Sequence, residues 1–260
     1  MRAAPEALLR RVVPARKLGA LLLGMLWSLW SGEMSAVASE MQTVGAFRID
    51  RTEVTIGAFR QFAEATGFVS RAEIEGGGFE FGAGWERRPG WTWREPHGVP
   101  ADEREPAVHL NHAEAEAYCH WAGKRLPTAE EWDQAAYQEM RPDPPPPFRP
   151  GALYDFPTGD TPEGAHCLRD CGPSLSVEHG VRLERGEGHA LAGTSRVGVN
   201  GLYDMGANVW EWIQTEGSSA TTRGGSWWYG SGPMRRGHQA MKPKSFYAIY
   251  IGFRCVADAQ

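Results

Sequence analysis

The sequence predicts an α+β domain with low regular secondary structure: two or three short helices, small sheets and long loops lined by tryptophan. Three observations predict it. The 260-residue chain carries 32 Gly and 18 Pro beside 11 Trp, the composition of many turns around a core of large rings. The clear helix signals are few and short, and they precede residue 140. From residue 150 onward the pattern is one of short strands and loops.

The first 38 residues read as a signal peptide. Arg2, Arg10, Arg11, Arg16 and Lys17 form a basic start, and Leu18 to Trp30 is an apolar run of 13 residues. That is short for a membrane span and the right length for a signal core. Ala36-Val37-Ala38 supplies a small-x-small cleavage site. An uncleaved anchor is the competing reading, with Trp27 and Trp30 at an interface. The chain has a net charge of −5; residues 1–38 carry +3, which leaves −8 for the remainder. An acidic exported domain, periplasmic or secreted, excludes nucleic acid and stable membrane insertion from its expected partners.

In the remainder, Phe47 to Val54 reads as a strand. Thr55 is placed to cap a helix through Thr66, with Phe59, Phe62 and Ala63 on one face and Gly67 at its end. Residues 76–98 show no period and read as an ordered loop held by Trp85, Trp91 and Trp93. Asn111 with Glu114 opens a second helix that stops at Gly123, and Thr128 with Glu131 forms a capping box for a third. Pro142 to Pro150 reads as an extended surface loop.

Four cysteines allow three pairings. Export favours disulfides. Cys167 and Cys171 are close enough for a small loop, in which case Cys119 and Cys255 would clip a helix to the C-terminal end. A metal site competes, although C-x3-C is not a standard zinc spacing.

Four blocks then stand in order: Ile49-Asp50-Arg51-Thr52-Glu53-Val54-Thr55; Ala117 to Thr128 with Glu131-Trp132; Gly201 to Met205 with Asn208-Val209-Trp210-Glu211-Trp212; and Arg223-Gly224-Gly225-Ser226-Trp227 with Gly252-Phe253-Arg254-Cys255. Together they resemble the sulfatase-modifying-factor domain of formylglycine-generating enzymes, over roughly residues 44–257. The resemblance implies the C-type-lectin-like fold of that family, with small antiparallel sheets, and a Cys119–Cys255 disulfide. It also implies structural Ca2+ at Asp204 and Glu211 with the carbonyls of Ala207 and Val209, although Ala207 stands where the family has Gly, which a carbonyl ligand tolerates only if φ is negative there.

In active formylglycine generators two cysteines lie three and eight residues after the Ser of Gly-Gly-Ser and bind copper. Those positions here are Tyr229 and Met234, so the copper and dithiol mechanism is not expected. Iron held by His109, His112 and His120 has little support from their spacing. Tyr229, His238 and Arg235 are the candidate catalytic residues. Trp227, Trp228, Arg236 and Lys242 are the candidate substrate-binding residues. By general likeness the chain resembles two exported branches, one finishing the chromophore of the siderophore pyoverdine by oxidation and one accompanying copper nitrite reductase. The expected role is oxidative tailoring or maturation of a peptide-derived molecule or protein. A non-catalytic accessory module for a periplasmic partner, or a true formylglycine-generating oxidase acting on sulfatases, is the alternative.

Overall fold

Thr55 is extended (φ −90°, ψ 163°) and its side chain accepts a hydrogen bond from the Ala58 amide, so the first helix, α1 (Ile56–Thr66), starts where the sequence places its cap. Gly67 ends it in the left-handed region at φ 68°, with its N–H returned to the Ala63 carbonyl. Full capping boxes also open α3 (His112–Trp121), from Asn111 and Glu114, and α4 (Ala129–Tyr137), from Thr128 and Glu131. A further single turn, α2 (Arg71–Ile74), is capped in the same way by Ser70 and Glu73.

The computed structural model describes residues 40–177, 183 and 188–259. The expected signal peptide and its cleavage site lie outside the described residues. Among the described residues no helix is long and apolar enough to cross a membrane.

Three small sheets accompany the helices. β1 (Met41–Val44), β2 (Phe47–Asp50) and β9 (Val256–Asp258) form one, in the order β1-β2-β9. The strand expected over 47–54 therefore ends at Asp50. β3 (Gly77–Phe81) and β4 (Trp85–Pro89) form an antiparallel hairpin. β5 (Trp210–Trp212), β6 (Ser219–Arg223), β7 (Ala240–Pro243) and β8 (Ile251–Phe253) form the third, in the order β7-β6-β5-β8, with β5 and β8 parallel.

The hairpin corrects the expectation of a loop over 76–98. A Cβ at Gly78 would stand 2.0 Å from Nδ1 of His109, so this strand packs where only glycine fits. Trp91 and Trp93 are buried as the loop reading required, whereas Trp85 is exposed.

The main core lies where α1 and α3 meet the third sheet. Phe59 stacks on Tyr118 at 5.6 Å between ring centres and meets Trp93 edge-on at 4.9 Å. Phe253 closes the group, 5.5 Å from Tyr118. A second core joins Phe47, Ile49, Trp132, Ala135, Ala136, Leu202 and Met205.

Two disulfides pin this frame. Cys119 of α3 bonds Cys255, across a sequence separation of 136 residues, and Cys167 bonds Cys171. All four cysteines are paired, so none is left for a cysteine metal site.

Candidate functional site

The Gly-Gly-Ser turn follows β6. Gly224 and Gly225 lie at φ 91° and 79°. A Cβ on Gly224 would come within 2.8 Å of the Met205 carbonyl, which explains glycine there. After Ser226 the chain sends Trp227 and Trp228 into the core, where their rings meet at 5.0 Å, and turns Tyr229 out to the surface.

Tyr229 and Met234 occupy the two positions at which the related oxidases carry cysteines. Met234 is buried, and its Sδ lies 3.9 Å from Sγ of Cys171. The loop carrying the Cys167–Cys171 disulfide runs beside the same segment: the Leu168 amide donates to the Tyr229 carbonyl at 2.8 Å, and Arg169 bridges to Gly230. The site thus contains sulfur, but as one disulfide and one thioether. Neither is a thiolate, so the residues present do not fit a copper–dithiolate centre.

A second cluster surrounds Trp210, which the sequence did not single out. Successive residues of β5 face opposite sides of its sheet. Trp210 and Trp212 therefore share one face, and Glu211 takes the other. The Trp210 ring lies 5.9 Å from Tyr229 and 5.9 Å from His238, and the Lys242 ammonium sits 5.0 Å from its centre. Burial lowers the Lys242 pKa to about 8, since the partly dehydrated amine resists charging. Buried Trp210 Nε1 makes no hydrogen bond among the described residues. The structure thus brings Tyr229, His238 and Lys242 onto one aromatic platform, where an amine that titrates near neutrality can hold or move a proton.

Arg235 and Arg236 turn elsewhere. Arg235 pairs with Asp155 at 2.9 Å and lies over the Phe156 ring, and Arg236 reaches the other Asp155 oxygen at 3.5 Å. Both remain exposed.

The Asp204–Glu211 segment forms a cradle in which Asp204, Ala207 and Asn208 all have positive φ, at 57°, 64° and 48°. Ala207 thus lies in the left-handed region that favours glycine, at a cost of about 1 kcal/mol, and the negative φ expected of an alanine at this position is not what the backbone adopts. Asp204 Oδ1 and Glu53 Oε2 are buried and lack hydrogen-bond partners. Burial, and then the negative Asp204, hold the Glu53 carboxyl well above the usual carboxylate range. Two bare carboxylate oxygens fit a hard cation. Glu211 fits less well: Arg254 Nε donates to both of its oxygens at 2.9 Å, and Trp132 Nε1 donates to Oε2 at 2.7 Å.

The histidines named for iron go to separate tasks. His109 Nε2 donates to the Pro96 carbonyl at 2.9 Å, and burial lowers its pKa to about 3. His112 Nε2 lies 3.0 Å from the Ile213 carbonyl, and His120 is exposed.

A cleft of about 490 Å³ opens elsewhere, lined by Arg51, Thr52, Glu53, Gln61 and Tyr203; no residue of the 223–255 segment lines it.

Comparison with known proteins agrees with this architecture. The family model described as the sulfatase-modifying factor enzyme 1-like domain matches residues 19–259. The chain is 30% identical over 259 residues to the formylglycine-generating enzyme of Thermomonospora curvata, covering 82% of each. It is 29% identical over 252 residues to the inactive C-alpha-formylglycine-generating enzyme 2 of Mus musculus, covering 84% of this chain and 77% of that protein. The structure of PvdO from Pseudomonas aeruginosa superposes with a TM-score of 0.51 at 18% identity, covering 82% of this chain and 80% of PvdO, a likeness of fold. With its short helices, small sheets and C-type-lectin-like architecture, the chain belongs to the sulfatase-modifying-factor family of formylglycine-generating enzymes.

Proposed function

We propose that this chain is an exported oxidative tailoring or maturation factor, acting on a peptide-derived molecule or a protein through a centre other than a copper dithiolate. The observation that carries the reading is the replacement of the thiol positions by Tyr229 and Met234, with Tyr229, His238 and Lys242 gathered on Trp210. In this reading Trp210 offers flat apolar contact to the substrate, and the Tyr229 hydroxyl hydrogen-bonds the group being oxidised. Lys242, with a pKa of about 8, accepts a proton from the group being oxidised. Exposed Arg235 and Arg236 attract an acidic portion of the substrate. Molecular oxygen is the proposed electron acceptor.

The test is oxygen uptake with peptide-derived substrates, in wild type and in Tyr229→Phe, His238→Ala and Lys242→Met. Uptake lost in Lys242→Met and Tyr229→Phe, with folding intact, supports the reading. Uptake unchanged in all three removes it.

A second reading has one specific observation behind it. All four cysteines are oxidised and the thiol positions are empty of thiols, as suits a module that binds a periplasmic partner, such as copper nitrite reductase, without chemistry. Partner capture that survives Lys242→Met but fails in Arg235→Glu would favour it. True formylglycine generation would require Cys167 and Cys171 as thiols. It is tested by oxidation of a Cys-x-Pro-x-Arg peptide, which a Cys167→Ser variant should abolish.

Structural Ca2+ is proposed at Asp204 with the carbonyls of Ala207 and Val209, where it would neutralise the buried carboxylates. Added Ca2+ should raise the melting temperature of the wild type and not of Asp204→Asn. Export is proposed from the sequence alone, and the N-terminal mass of the secreted protein tests it, with residue 39 as the expected start.

A further inference from the structure

We propose that His97, Glu105 and His189 form a buried site for a divalent first-row transition ion, Zn2+ or Fe2+, separate from both the Trp210 platform and the Asp204 cradle. Each of the three is almost wholly buried, and one donor atom from each lies within 4.8 Å of the other two. Among the described residues no other group of three His, Cys, Asp or Glu side chains comes together in this way.

The residue types suit such an ion. Two imidazoles and one carboxylate form a borderline donor set that selects Zn2+ or Fe2+ over Ca2+ and Mg2+, which prefer oxygen alone. The geometry is close to what binding needs. His189 Nε2 lies 2.8 Å from Glu105 Oε2, and the His97 and His189 rings are 5.0 Å apart. Donor atoms around a tetrahedral ion with bonds of about 2.0–2.1 Å stand roughly 3.3 Å apart. Rotamer adjustments of about 1–1.5 Å would therefore close the set.

Hydrogen bonds anchor Glu105 and the chain neighbours of the two histidines. Glu105 Oε1 accepts from the Asp102 amide at 2.9 Å, which leaves Oε2 turned to His189. His189 stands between two anchored neighbours: the Gly188 carbonyl lies 2.8 Å from His166 Nε2, and the Ala190 amide donates to Asn208 Oδ1 at 2.8 Å. Beside His97, the Pro96 carbonyl is held by His109, whose pKa of about 3 keeps that ring neutral and adds no charge against a cation. Outer contacts of this kind orient ligands in metal sites. Full burial points to a structural ion that ties three loops together, with any remaining position closed to substrate.

The experiment isolates the protein without an affinity histidine tag from cells grown with Zn2+, Fe2+ and Mn2+ supplied together, and reads metal content by mass spectrometry. Wild type should carry about one transition ion per chain, and growth with Co2+ should give a protein with visible d–d absorption. His97→Ala and Glu105→Gln should each drop the content by tenfold or more, with both disulfides formed, while His120→Ala should retain it. Wild type isolated without a stoichiometric transition ion and without cobalt absorption would overturn the proposal, leaving a buried His–Glu hydrogen bond. Should the ligand variants fail to fold, the two wild-type measurements decide alone.

Discussion

Arg254 and Glu211 close on each other in the interior: both residues are buried, and Arg254 Nη2 lies 2.6 Å from Glu211 Oε1 while Nε serves both oxygens. Arg254 also donates to the carbonyls of Asp50, at 3.0 Å, and Tyr203, at 2.9 Å. One side chain thereby fastens the last family block to the first and the third. Removing its counter-charge should be costly, because the guanidinium cannot neutralise itself. Glu211→Gln is expected to destabilise by about 3–5 kcal/mol, read from urea unfolding midpoints. A loss near zero would show that the pair contributes little.

The Cys119–Cys255 disulfide is expected to stabilise by on the order of 5 kcal/mol through the long loop it closes in the unfolded chain. The Cys119→Ser, Cys255→Ser pair should unfold at much lower urea. The Cys167→Ser, Cys171→Ser pair closes a far shorter loop and should cost less. Equal losses from the two pairs would contradict this account.

Lys242 has a pKa of about 8 when folded, against 10.5 when free. The unfolded chain therefore binds more protons between those two values, and stability contributed by this residue rises from pH 8 to about 10.5. Lys242→Met should flatten that rise, measured as the difference in unfolding free energy between wild type and variant across this range. The same depressed pKa predicts that acylation of Lys242 rises most steeply up to about pH 8 and then levels, which peptide mapping across pH can read.

Glu53 shifts the other way. Its folded pKa is raised well above 4.5, so the folded state holds the extra proton. Stability from this group is complete below about pH 4.5 and is lost as the pH rises through the raised value. Glu53→Gln, which keeps the 3.0 Å contact from Asn208 Nδ2 to the side-chain oxygen, should therefore be more stable than wild type at neutral pH when Ca2+ is chelated. A less stable variant under chelation would place the charged form of Glu53 in a favourable contact instead.

The local parts of this fold were legible in the chain. Helix starts at Thr55, Asn111 and Thr128 are written in side chains three residues from their targets, and the family blocks carried the architecture. Contacts between distant segments were not legible. The β3–β4 hairpin depends on Gly78 meeting His109, a relation no periodicity encodes. Trp210 became the platform because Tyr229, His238 and Lys242 arrive from a later loop and strand. Glu105 and His189 stand 84 residues apart and have no motif spacing, so histidines near α3 drew attention while the buried group lay elsewhere.

The pairing of β9 with β2 has a consequence for how the chain is made. Strand β2 and Glu211 are synthesised well before Arg254, Cys255 and β9. A nascent chain that has not reached residue 254 therefore lacks one of the two sheet neighbours of β2, the counter-charge of Glu211 and the long disulfide. Acquisition of structure waits on these residues, and a stop codon at position 254 should yield a product that never becomes protease-resistant.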